Sequence, residues 1–402
     1  MTDVNDETPV LRHPAEGVPD VVDTPDALMA VADAMTRGSG PVAVDAERAS
    51  GHRYGQSAYL IQLRREGSGT HLVDPAALGR LDALADAINP TEWILHAATQ
   101  DLPCLAEVGL RPESLFDTEL AARILGLPRV GLASLTEDLL GVSLAKGHGA
   151  ADWSRRPLPE SWIIYAALDV ELLHELREDL IERLHRAGRT RWAEEEFAYL
   201  TTWQPKADPE PWRRTSGVAK LRDPRDLAVV RELWLLRDQM ARAADQPVGR
   251  ILKDSVVIQI VTTKPSDQEA LAALPAMKPQ RRRIRRWWDA VERARSLPDD
   301  ALPQRVAPDG PPPQRSWERR DPDAAARLTA VRSAISEHAA TLGMPPEVLV
   351  SPDPVRALIW NAEGRPLTPD DIATGLSTSG VRGWQIEQVA PVISAALDPT
   401  RP

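Results

Sequence analysis

Hydrophobic and polar residues follow two different periods along this chain, and the change between them separates a strand-rich front part from a helical remainder. Apolar runs predict four short strands, at residues 41–46, 57–63, 70–73 and 93–95. A helix is expected to begin after Thr24-Pro25, because proline suits the first helical turn. Beyond residue 95 apolar positions recur at helical spacing, including a long amphipathic stretch from Glu160 to about Leu184. Strands followed by mixed strands and helices favour an α/β layer fold.

Two proline-rich segments divide the chain into three predicted domains. Residues 204–211 close a first domain that spans 23–203, and residues 301–320 link two all-helical parts, 212–300 and 321–400. The two helical parts share a pattern of amphipathic helix, proline-containing turn and short apolar helix start, which is a weak internal repeat. Residues 1–22 begin with an acidic stretch that lacks an apolar core, so they predict a disordered leader and not a secretory signal.

Composition narrows the class of protein, and the distribution of charge adds to it. The chain has 402 residues and a net charge of −11. Residues 1–200 carry −15, residues 201–320 carry +8 and residues 321–402 carry −4, which together give the total. No stretch approaches the ~20 apolar residues that span a bilayer, and the single cysteine allows no intrachain disulfide. We therefore expect a cytoplasmic protein without a membrane partner, whose basic middle part suits phosphate.

Four carboxylates and a tyrosine are the main candidates for chemistry. Asp45 and Glu47 lie two apart on a predicted strand, so both side chains point to one face. Tyr165 and Asp169 lie four apart in a predicted helix and also share a face. Asp101 begins a helix that follows the predicted strand 93–95. Because Mg²⁺ and Mn²⁺ prefer oxygen ligands, the set is typical of a site that holds divalent cations.

Each of these pieces also has a purely structural interpretation. The pair Asp45 and Glu47 is compatible with a polar strand end, and Asp101 with a charge favoured by a helix dipole. A buried Tyr165 hydroxyl beside a carboxylate is often a structural hydrogen bond. Asp117 competes with Asp101 for the role of ligand, and its position predicts a helix cap instead. Only the combination of all the pieces in this order indicates a metal site.

The combination resembles a known enzyme family over residues 40–200. Ribonuclease D-like 3′→5′ exonucleases of the DEDD type, in the subtype with tyrosine in the last motif, carry Asp-x-Glu, then a single Asp, then Tyr-x-x-x-Asp. Asp45 with Glu47, Asp101, and Tyr165 with Asp169 match these motifs. The segments 54–63, 116–118 and 152–158 are further matches. The resemblance implies an RNase H-like domain, a mixed sheet flanked by helices, followed by two small all-α HRDC-like domains, of which the second match is weaker.

The resemblance also implies a reaction. Asp45, Glu47, Asp101 and Asp169 would hold two divalent metal ions, Mg²⁺ or Mn²⁺, and Tyr165 would orient the attacking water. The expected activity is hydrolysis of RNA 3′ ends to nucleoside 5′-monophosphates, with tRNA precursors as the family's example of a substrate. A DNA 3′→5′ exonuclease and a non-catalytic nucleic-acid-binding protein are the alternatives. Oligomeric state is left open by the sequence.

Candidate substrate contacts lie in a polar loop and near Asp101. Lys146 and Arg156 could hold backbone phosphates, and Trp153 could stack on a base or pack in the core. His96, five residues before Asp101, is a further candidate for substrate binding or support of the site.

A second nucleic-acid patch is predicted outside the first domain. Five arginines adjoin two tryptophans there, a composition that suits phosphate contact and base stacking; they are Arg281, Arg282, Arg283, Arg285 and Arg286. The alternative is an amphipathic helix that buries Ile284, Trp287 and Trp288 and leaves the arginines in water. The two interpretations are compatible.

Overall fold

A computed structural model describes residues 9–145, 147–304 and 310–398, which fall into two compact units. The described residues of the first unit lie within Met1–Glu47, Ala58–Gln204 and Pro308–Pro402. Those of the second lie within Arg48–Ser57 and Pro205–Ala307. Within the described ranges, no helix is both long enough and apolar enough to cross a membrane.

A six-stranded mixed sheet is the centre of the first unit. The strands of this unit are β1 Val10–Leu11, β2 Val21–Val22, β3 Ser39–Arg48, β4 Ala58–Glu66, β5 Gly69–Val73, β6 Glu92–Leu95, β7 Ser114–Asp117 and β8 Ser143–Leu144. The sheet order is β2-β5-β4-β3-β6-β7, with β3, β6 and β7 parallel and β4 antiparallel to β5. Strands β1 and β8 form a separate parallel pair. The predicted α/β fold is confirmed, and the four predicted strands correspond to β3–β6.

Helices cover both faces of this sheet. They are α1 Pro25–Arg37, α2 Pro75–Leu78, α3 Asp82–Ile88, α4 Leu102–Glu107, α5 Thr118–Leu125, α6 Leu132–Leu135, α7 Glu160–Glu171, α8 Leu173–Arg186 and α9 Thr190–Thr202. Val42 and Val44 of β3 pack into the larger core with α1, while Ala43 packs on the opposite side with Val170 and Leu173. Strand β3 is therefore buried on both faces, as its apolar run requires.

Two predictions about local structure differ from the observed chain. The long amphipathic stretch is two helices, because Leu172 at φ −109° and ψ 9° interrupts the helix between α7 and α8. The predicted leader is wrong for its described part, 9–22, since Val21 and Val22 pair with β5 and extend the sheet. In addition, the Ala15 amide donates a 3.0 Å hydrogen bond to the buried carboxylate of Glu171.

The second unit contains a small bundle of helices. They are α10 Pro224–Ala244, α11 Val248–Ile251, α12 Asp254–Thr263, α13 Gln268–Ala273 and α14 Ile284–Ser296. A 3₁₀ helix at Pro275–Arg283 leads directly into α14. Leu233 and Trp287, both fully buried, belong to the core that joins α10 to α14. The all-helical prediction for this part therefore holds for its described residues.

A third group of helices packs within the first unit. They are α15 Trp317–Arg320, α16 Pro322–Thr341, α17 Pro346–Leu349, α18 Pro352–Asn361, α19 Pro369–Thr378 and α20 Gly383–Ala396. This C-terminal group contacts α9, where Trp192 and Trp384 stack with ring centroids 4.8 Å apart. The exact domain boundaries expected from the sequence stay predictions.

Candidate functional site

Strand β3 carries the first two carboxylates on one face. Asp45 and Glu47 alternate with buried residues, and by the two-residue period they share the face of Ala43. Since Ala43 packs against Val170 of α7, that face is turned toward α7. Glu47 is only 7% exposed. The strand thus places two acidic side chains against the helix that carries the third motif.

Helix α7 completes a compact acidic group. Ligand oxygens of Asp45, Glu47 and Asp169 all lie within 4.8 Å of one another. Asp169 sits one residue before Val170, which packs against the sheet, so the helix is fixed where its carboxylate meets β3. The structure therefore brings together three of the four carboxylates that the sequence singles out.

Asp101 reaches the site from a turn after β6. Ala97 adopts a left-handed conformation at φ +59°, residues 98–100 form a 3₁₀ turn, and Asp101 immediately precedes α4 as its N-cap residue. Asp101 is buried and is not one of the three clustered carboxylates, but its negative charge helps to raise the pKa of Asp169. The structure therefore brings the fourth acidic residue near the same group.

Asp117 holds this turn in place. Its carboxylate accepts hydrogen bonds from the amides of Ala97 at 3.1 Å and Ala98 at 2.8 Å, and from Leu120 at 3.0 Å as the cap of α5. The prediction that Asp117 caps a helix is confirmed. Burial raises the pKa of Asp117, while the three backbone donors act in the opposite direction. Asp117 thus links the turn that carries Asp101 to the next helix.

The electrostatics of the group favour a bound cation. Burial, followed by the charge of Asp45, raises the pKa of Asp169 well above its usual range; the Tyr165 hydrogen bond acts against this. The neighbouring negative charges of Asp45 and Asp169 repel each other, and a divalent cation would relieve that repulsion. Carboxylate oxygens from two separate elements, of which those of Glu47 are buried and those of Asp45 and Asp169 partly buried, also match the donor set that Mg²⁺ and Mn²⁺ prefer. The residues present therefore fit divalent metal ions.

Tyr165 is a hydrogen-bond donor in this site. Burial raises the pKa of its hydroxyl above the ordinary value of 10, and the charges of Asp169, Glu47 and Asp45 add to the effect. The phenol consequently stays protonated at neutral pH and donates to Asp169. Gly147 lies against its ring, and the ring of His148 meets it edge-on at 5.9 Å. Sequence reasoning missed both contacts, because residues 147 and 148 belong to a loop without periodicity.

Two predicted substrate contacts, Trp153 and Arg156, are occupied by contacts within the protein. Trp153 is fully buried beside Trp162, with centroids 5.3 Å apart, so the prediction that it stacks on a base is wrong and core packing accounts for it. Arg156 donates to Asp74 at 2.5 Å and to the carbonyls of Trp153 and Tyr59. Its guanidinium therefore anchors the loop by hydrogen bonds within the protein and not by contact with a phosphate.

His96 and Lys146 are the other two predicted substrate contacts. Burial lowers the pKa of His96 to about 4, and its Nδ1 lies 2.9 Å from Thr118 Oγ1. His96 is therefore neutral at pH 7 and supplies no positive charge to a phosphate. Its assignment to substrate binding or to support of the site stays a prediction. Lys146 lies outside the described residues.

The basic patch is exposed, as predicted. All five arginines lie on the surface, and none of their side chains has a hydrogen-bond or ion-pair partner among the residues that the structure describes; they are Arg281, Arg282, Arg283, Arg285 and Arg286. Trp287 is fully buried and donates to Gln280, and Trp288 is half-buried with Arg295 over its ring. Base stacking on Trp287 is thus excluded, while the arginines are available.

Comparisons with known proteins agree with this architecture. Residues 19–185 match a family model described as 3′-5′ exonuclease, residues 226–290 match the HRDC domain, and residues 310–397 match a 3′ to 5′ exonuclease C-terminal domain. The last match concerns the part for which the sequence predicts a second HRDC-like domain, and that likeness stays a prediction. The fold and the acidic group together define a 3′→5′ exonuclease, a class that uses divalent metal ions.

Relatives narrow the class further. The chain is 34% identical to ribonuclease D of Gluconacetobacter diazotrophicus over 317 residues, which cover 75% of this chain and 79% of the relative. A crystal structure of a protein from Bifidobacterium adolescentis is similar over 97% of this chain and all of the other, with 38% identity and a TM-score of 0.90. Escherichia coli RNase D matches over 96% of this chain and all of its own, with 26% identity and a TM-score of 0.72. The chain belongs to the ribonuclease D family of 3′→5′ exoribonucleases.

Proposed function

We propose that this exoribonuclease trims the 3′ ends of structured RNAs, such as tRNA precursors, with Asp45, Glu47, Asp101 and Asp169 as metal ligands. The observation that carries the assignment of residues is the 4.8 Å grouping of three carboxylates from β3 and α7, with Asp101 close enough to influence the pKa of Asp169. The substrate class is supported by the E. coli relative, which is described as an exoribonuclease involved in structured RNA processing.

The side chains divide the work of hydrolysis between them. Two divalent cations, when bound, would activate a water molecule and stabilise the leaving 3′ oxygen of the terminal phosphodiester. Asp45, on β3, and Asp169, on α7, hold their carboxylates in a fixed mutual position because both elements are anchored in the core. Tyr165 keeps its proton and would orient the attacking water by hydrogen bonding, since the raised pKa of its hydroxyl leaves almost no phenolate to act as a general base.

A direct test uses purified protein and 5′-labelled substrates. Single-stranded RNA, DNA of the same sequence and a tRNA with a 3′ extension are incubated with Mg²⁺, Mn²⁺ or chelator. We expect a metal-dependent ladder that shortens from the 3′ end on both RNAs and is absent with Asp45→Asn. Asp82→Asn is the matched control, because Asp82 is an exposed carboxylate of the same domain that pairs with Arg80. Equal activity of Asp45→Asn and Asp82→Asn would overturn the assignment of ligands.

The substrates also separate the alternatives. A ladder on DNA that equals the ladder on RNA would replace the proposed RNA specificity by a general 3′→5′ exonuclease. A ladder on the linear RNA but not on the extended tRNA would remove tRNA precursors from the proposal. The ratio of rates in Mg²⁺ and in Mn²⁺ identifies the better cofactor.

We further propose that the five exposed arginines bind the RNA backbone. The support is that these side chains are exposed and have no described side-chain partners. The helical segment that carries them is also anchored: Trp287 is buried and donates to Gln280, whose amide in turn donates to the Ile251 carbonyl. Arginine is suited to phosphate because its planar guanidinium can donate two parallel hydrogen bonds.

Salt dependence tests the patch. If three of the arginines neutralise phosphates, replacing Arg281, Arg282 and Arg283 by Gln should reduce the slope of log affinity against log salt by about 2, at about 0.7 for each phosphate of a single strand. The control replaces Arg315, Arg319 and Arg320, which are also exposed, and removes the same charge. An identical change of slope in both triple variants would show a general charge effect and would reject the patch.

A further inference from the structure

Residues 9–22, which we call the N-terminal strap, are hydrogen-bonded at both ends to the rest of the first unit. The strap begins with β1, which pairs in parallel with β8. In this pair the Ser143 amide donates to the Pro9 carbonyl at 2.9 Å, and the Ala145 amide donates to the Leu11 carbonyl at 3.2 Å. The strap ends with β2, which pairs with β5 of the central sheet. All of these residues belong to the compact unit that contains the acidic site.

Strand β8 leads directly into the loop that packs on Tyr165. Gly147 lies against the Tyr165 ring and comes only two residues after Ala145. The ring of His148 meets the phenol edge-on, with centroids 5.9 Å apart. At the other end of the strap, Val21 packs against the same buried cluster as Tyr165. The pairing of β1 with β8 therefore fixes the chain just before the residues that surround the phenol.

The middle of the strap contacts the end of helix α7. The Gly17 amide donates to the Pro14 carbonyl at 3.2 Å, which closes a turn with Ala15 as its second residue. The Ala15 amide donates to Oε1 of Glu171 at 3.0 Å. Glu171 is the last residue of α7 and follows Asp169 by two positions. The strap is thus hydrogen-bonded to the helix end beside a proposed metal ligand.

Glu171 is buried at a place where a carboxylate is unfavourable. It is only 4% exposed, and a negative charge at the C-terminal end of a helix opposes the helix dipole. Its partners in the described chain are the Ala15 amide and Arg64, whose Nη1 lies 3.6 Å from Oε2. The same guanidinium donates to Thr70 of β5 at 2.7 Å and to Glu16 of the strap at 3.4 Å. Glu171 consequently ties α7 to the sheet and to the strap.

We propose that the N-terminal strap positions both functional groups of the last motif. The pairing of β1 with β8 would fix the loop that holds Tyr165, and the hydrogen bond from Ala15 to Glu171 would fix the end of α7 that carries Asp169. The inference rests on the proposed roles of Asp169 as a metal ligand and of Tyr165 as the residue that orients the attacking water. Because the two contacts act on different groups, breaking them separately should produce different defects. The strap itself needs to touch neither metal nor RNA.

Proline substitutions can remove each contact with little other change, since proline lacks the amide hydrogen. Ala15→Pro deletes the donor to Glu171 at the second position of a turn, where proline is favoured. Ser143→Pro deletes the donor to the Pro9 carbonyl at the first residue of a strand, where proline is tolerated. Ala15→Ser and Ser143→Ala are the matched controls, because both keep the backbone amide.

Three measurements on the full chain separate the two contacts. Hydrogen exchange reports the protection of residues 143–149 and 165–171, electron paramagnetic resonance of free Mn²⁺ gives the cation affinity without RNA, and steady-state kinetics on RNA at saturating Mn²⁺ separates kcat from KM. Ala15→Pro should show faster exchange at the end of α7 and about tenfold weaker Mn²⁺ binding, the lower end of the range for residues that orient metal ligands. Its kcat at saturating Mn²⁺ should stay close to that of the parent.

Ser143→Pro should show the opposite pattern. We expect faster exchange in residues 143–149 and a kcat about tenfold lower at saturating Mn²⁺, because a displaced Tyr165 no longer orients the water. Mn²⁺ affinity and KM for RNA should be little changed, since no proposed ligand is moved. Both control variants should resemble the parent in all three measurements. A general loss of stability would not divide metal affinity and kcat between the two proline variants in this way.

Several results would overturn the proposal. Faster exchange with parental Mn²⁺ affinity in Ala15→Pro, or with parental kcat in Ser143→Pro, would show that the strap is bound to the site without positioning it. Losses of equal size in Ala15→Ser or Ser143→Ala would assign the effects to the side chains and reject the role of the backbone contacts. A raised KM as the main defect of Ser143→Pro would make the loop a substrate contact instead.

A second pair of variants tests the contact with α7 if Ala15→Pro does not fold. Glu171→Ala removes the acceptor, whereas the amide oxygen of Glu171→Gln can still accept from the Ala15 amide. The glutamine variant should recover most of the Mn²⁺ affinity that the alanine variant loses, and equal losses would reject the contact. If the parent degrades no RNA, the proposed function fails, while Mn²⁺ binding, with Asp45→Asn as the blank, still decides the role of Ala15.

Discussion

Gly147 lies directly against the ring of Tyr165. A Cβ atom at position 147 would fall 2.5 Å from Tyr165 Cδ2, closer than any packed side chain tolerates. The aromatic rings of His148 and Trp153 also lie around Tyr165, with centroids 5.9 and 6.4 Å away. The position of the phenol therefore depends on the absence of a side chain in a neighbouring loop.

The first prediction follows from this contact. Gly147→Ala should push the Tyr165 ring aside and lower kcat by at least about tenfold, because misplacement of a reacting group by 1 Å can cost about 10²-fold. Gly149→Ala is the control, since its Cβ would lie 3.6 Å from the Tyr165 hydroxyl, an ordinary contact. Single-turnover rates at saturating Mg²⁺ provide the measurement. Equal rates for the two alanine variants would show that the loop yields to the extra carbon.

Asp117 leads to a second prediction, in which stability and activity fall together. Asp117→Ala leaves the amides of Ala97, Ala98 and Leu120 without their acceptor and should lower the free energy of unfolding by about 1–3 kcal/mol. The turn that carries Asp101 should loosen, so kcat should drop even at temperatures where the variant is fully folded. Urea titration and kinetics below the melting transition separate the two effects. Full activity of the folded variant would disconnect Asp117 from Asp101.

The acidic site was predictable because its spacings are local. Asp45 and Glu47 share a face by the period of a strand, and Tyr165 and Asp169 by the period of a helix. Both relations survive folding, since β3 and α7 are regular elements with buried apolar faces. The pairing of Ala43 with Val170, which brings the two elements together, is a tertiary contact that neither period contains.

The failures concern residues whose surroundings come from distant parts of the chain. Trp153 and Arg156 lie in a loop, and loop composition does not show which distant residues they contact. Trp153 packs into a core, and the Arg156 guanidinium donates to Asp74, 82 residues away. Strand β2 has two residues, too few to show a period. The hydrogen bond from the Tyr54 amide to the Asp245 carboxylate joins positions 191 residues apart. Sequence periodicity predicts elements, and these contacts are made between elements.

A third prediction concerns the protein without metal. Burial and the charge of Asp45 raise the pKa of Asp169, so their proximity is unfavourable when no cation is present. Asp45→Asn should therefore melt at a higher temperature than the parent in chelator. Mg²⁺ should stabilise the parent by about 2.7 kcal/mol at a concentration 100 times its dissociation constant, and the variant much less. Thermal melts test this: Asp45→Asn should have the higher melting temperature in chelator and the parent the higher one in Mg²⁺. Asp82→Asn should behave like the parent in both conditions.

His96 gives a fourth prediction, on pH. Burial lowers its pKa from 6.5 to about 4, so below pH 6.5 the unfolded chain takes up a proton that the folded protein refuses. The contribution of His96 to stability is complete above pH 6.5 and is lost as the pH falls toward 4. His96→Asn, which can still bond Thr118, should make the acid decline shallower, whereas His13→Asn at an exposed position should not. Urea unfolding at several pH values compares the slopes.

Glu196 ties the C-terminal helices to α9, and its removal provides the last prediction. Its carboxylate is buried and accepts from Trp384 Nε1 and from Arg382 Nε, both at 3.0 Å, while Trp384 stacks on Trp192. Glu196→Ala leaves both donors unpaired and should cost about 1–3 kcal/mol, felt first by the C-terminal helices. Tryptophan fluorescence should then change at lower urea than circular dichroism, because the stack opens before the sheet unfolds. Arg186→Ala, which breaks an exposed pair with Glu182, should leave the two transitions coincident; coincident transitions in Glu196→Ala as well would mean that the contact does not limit the stability of the C-terminal helices.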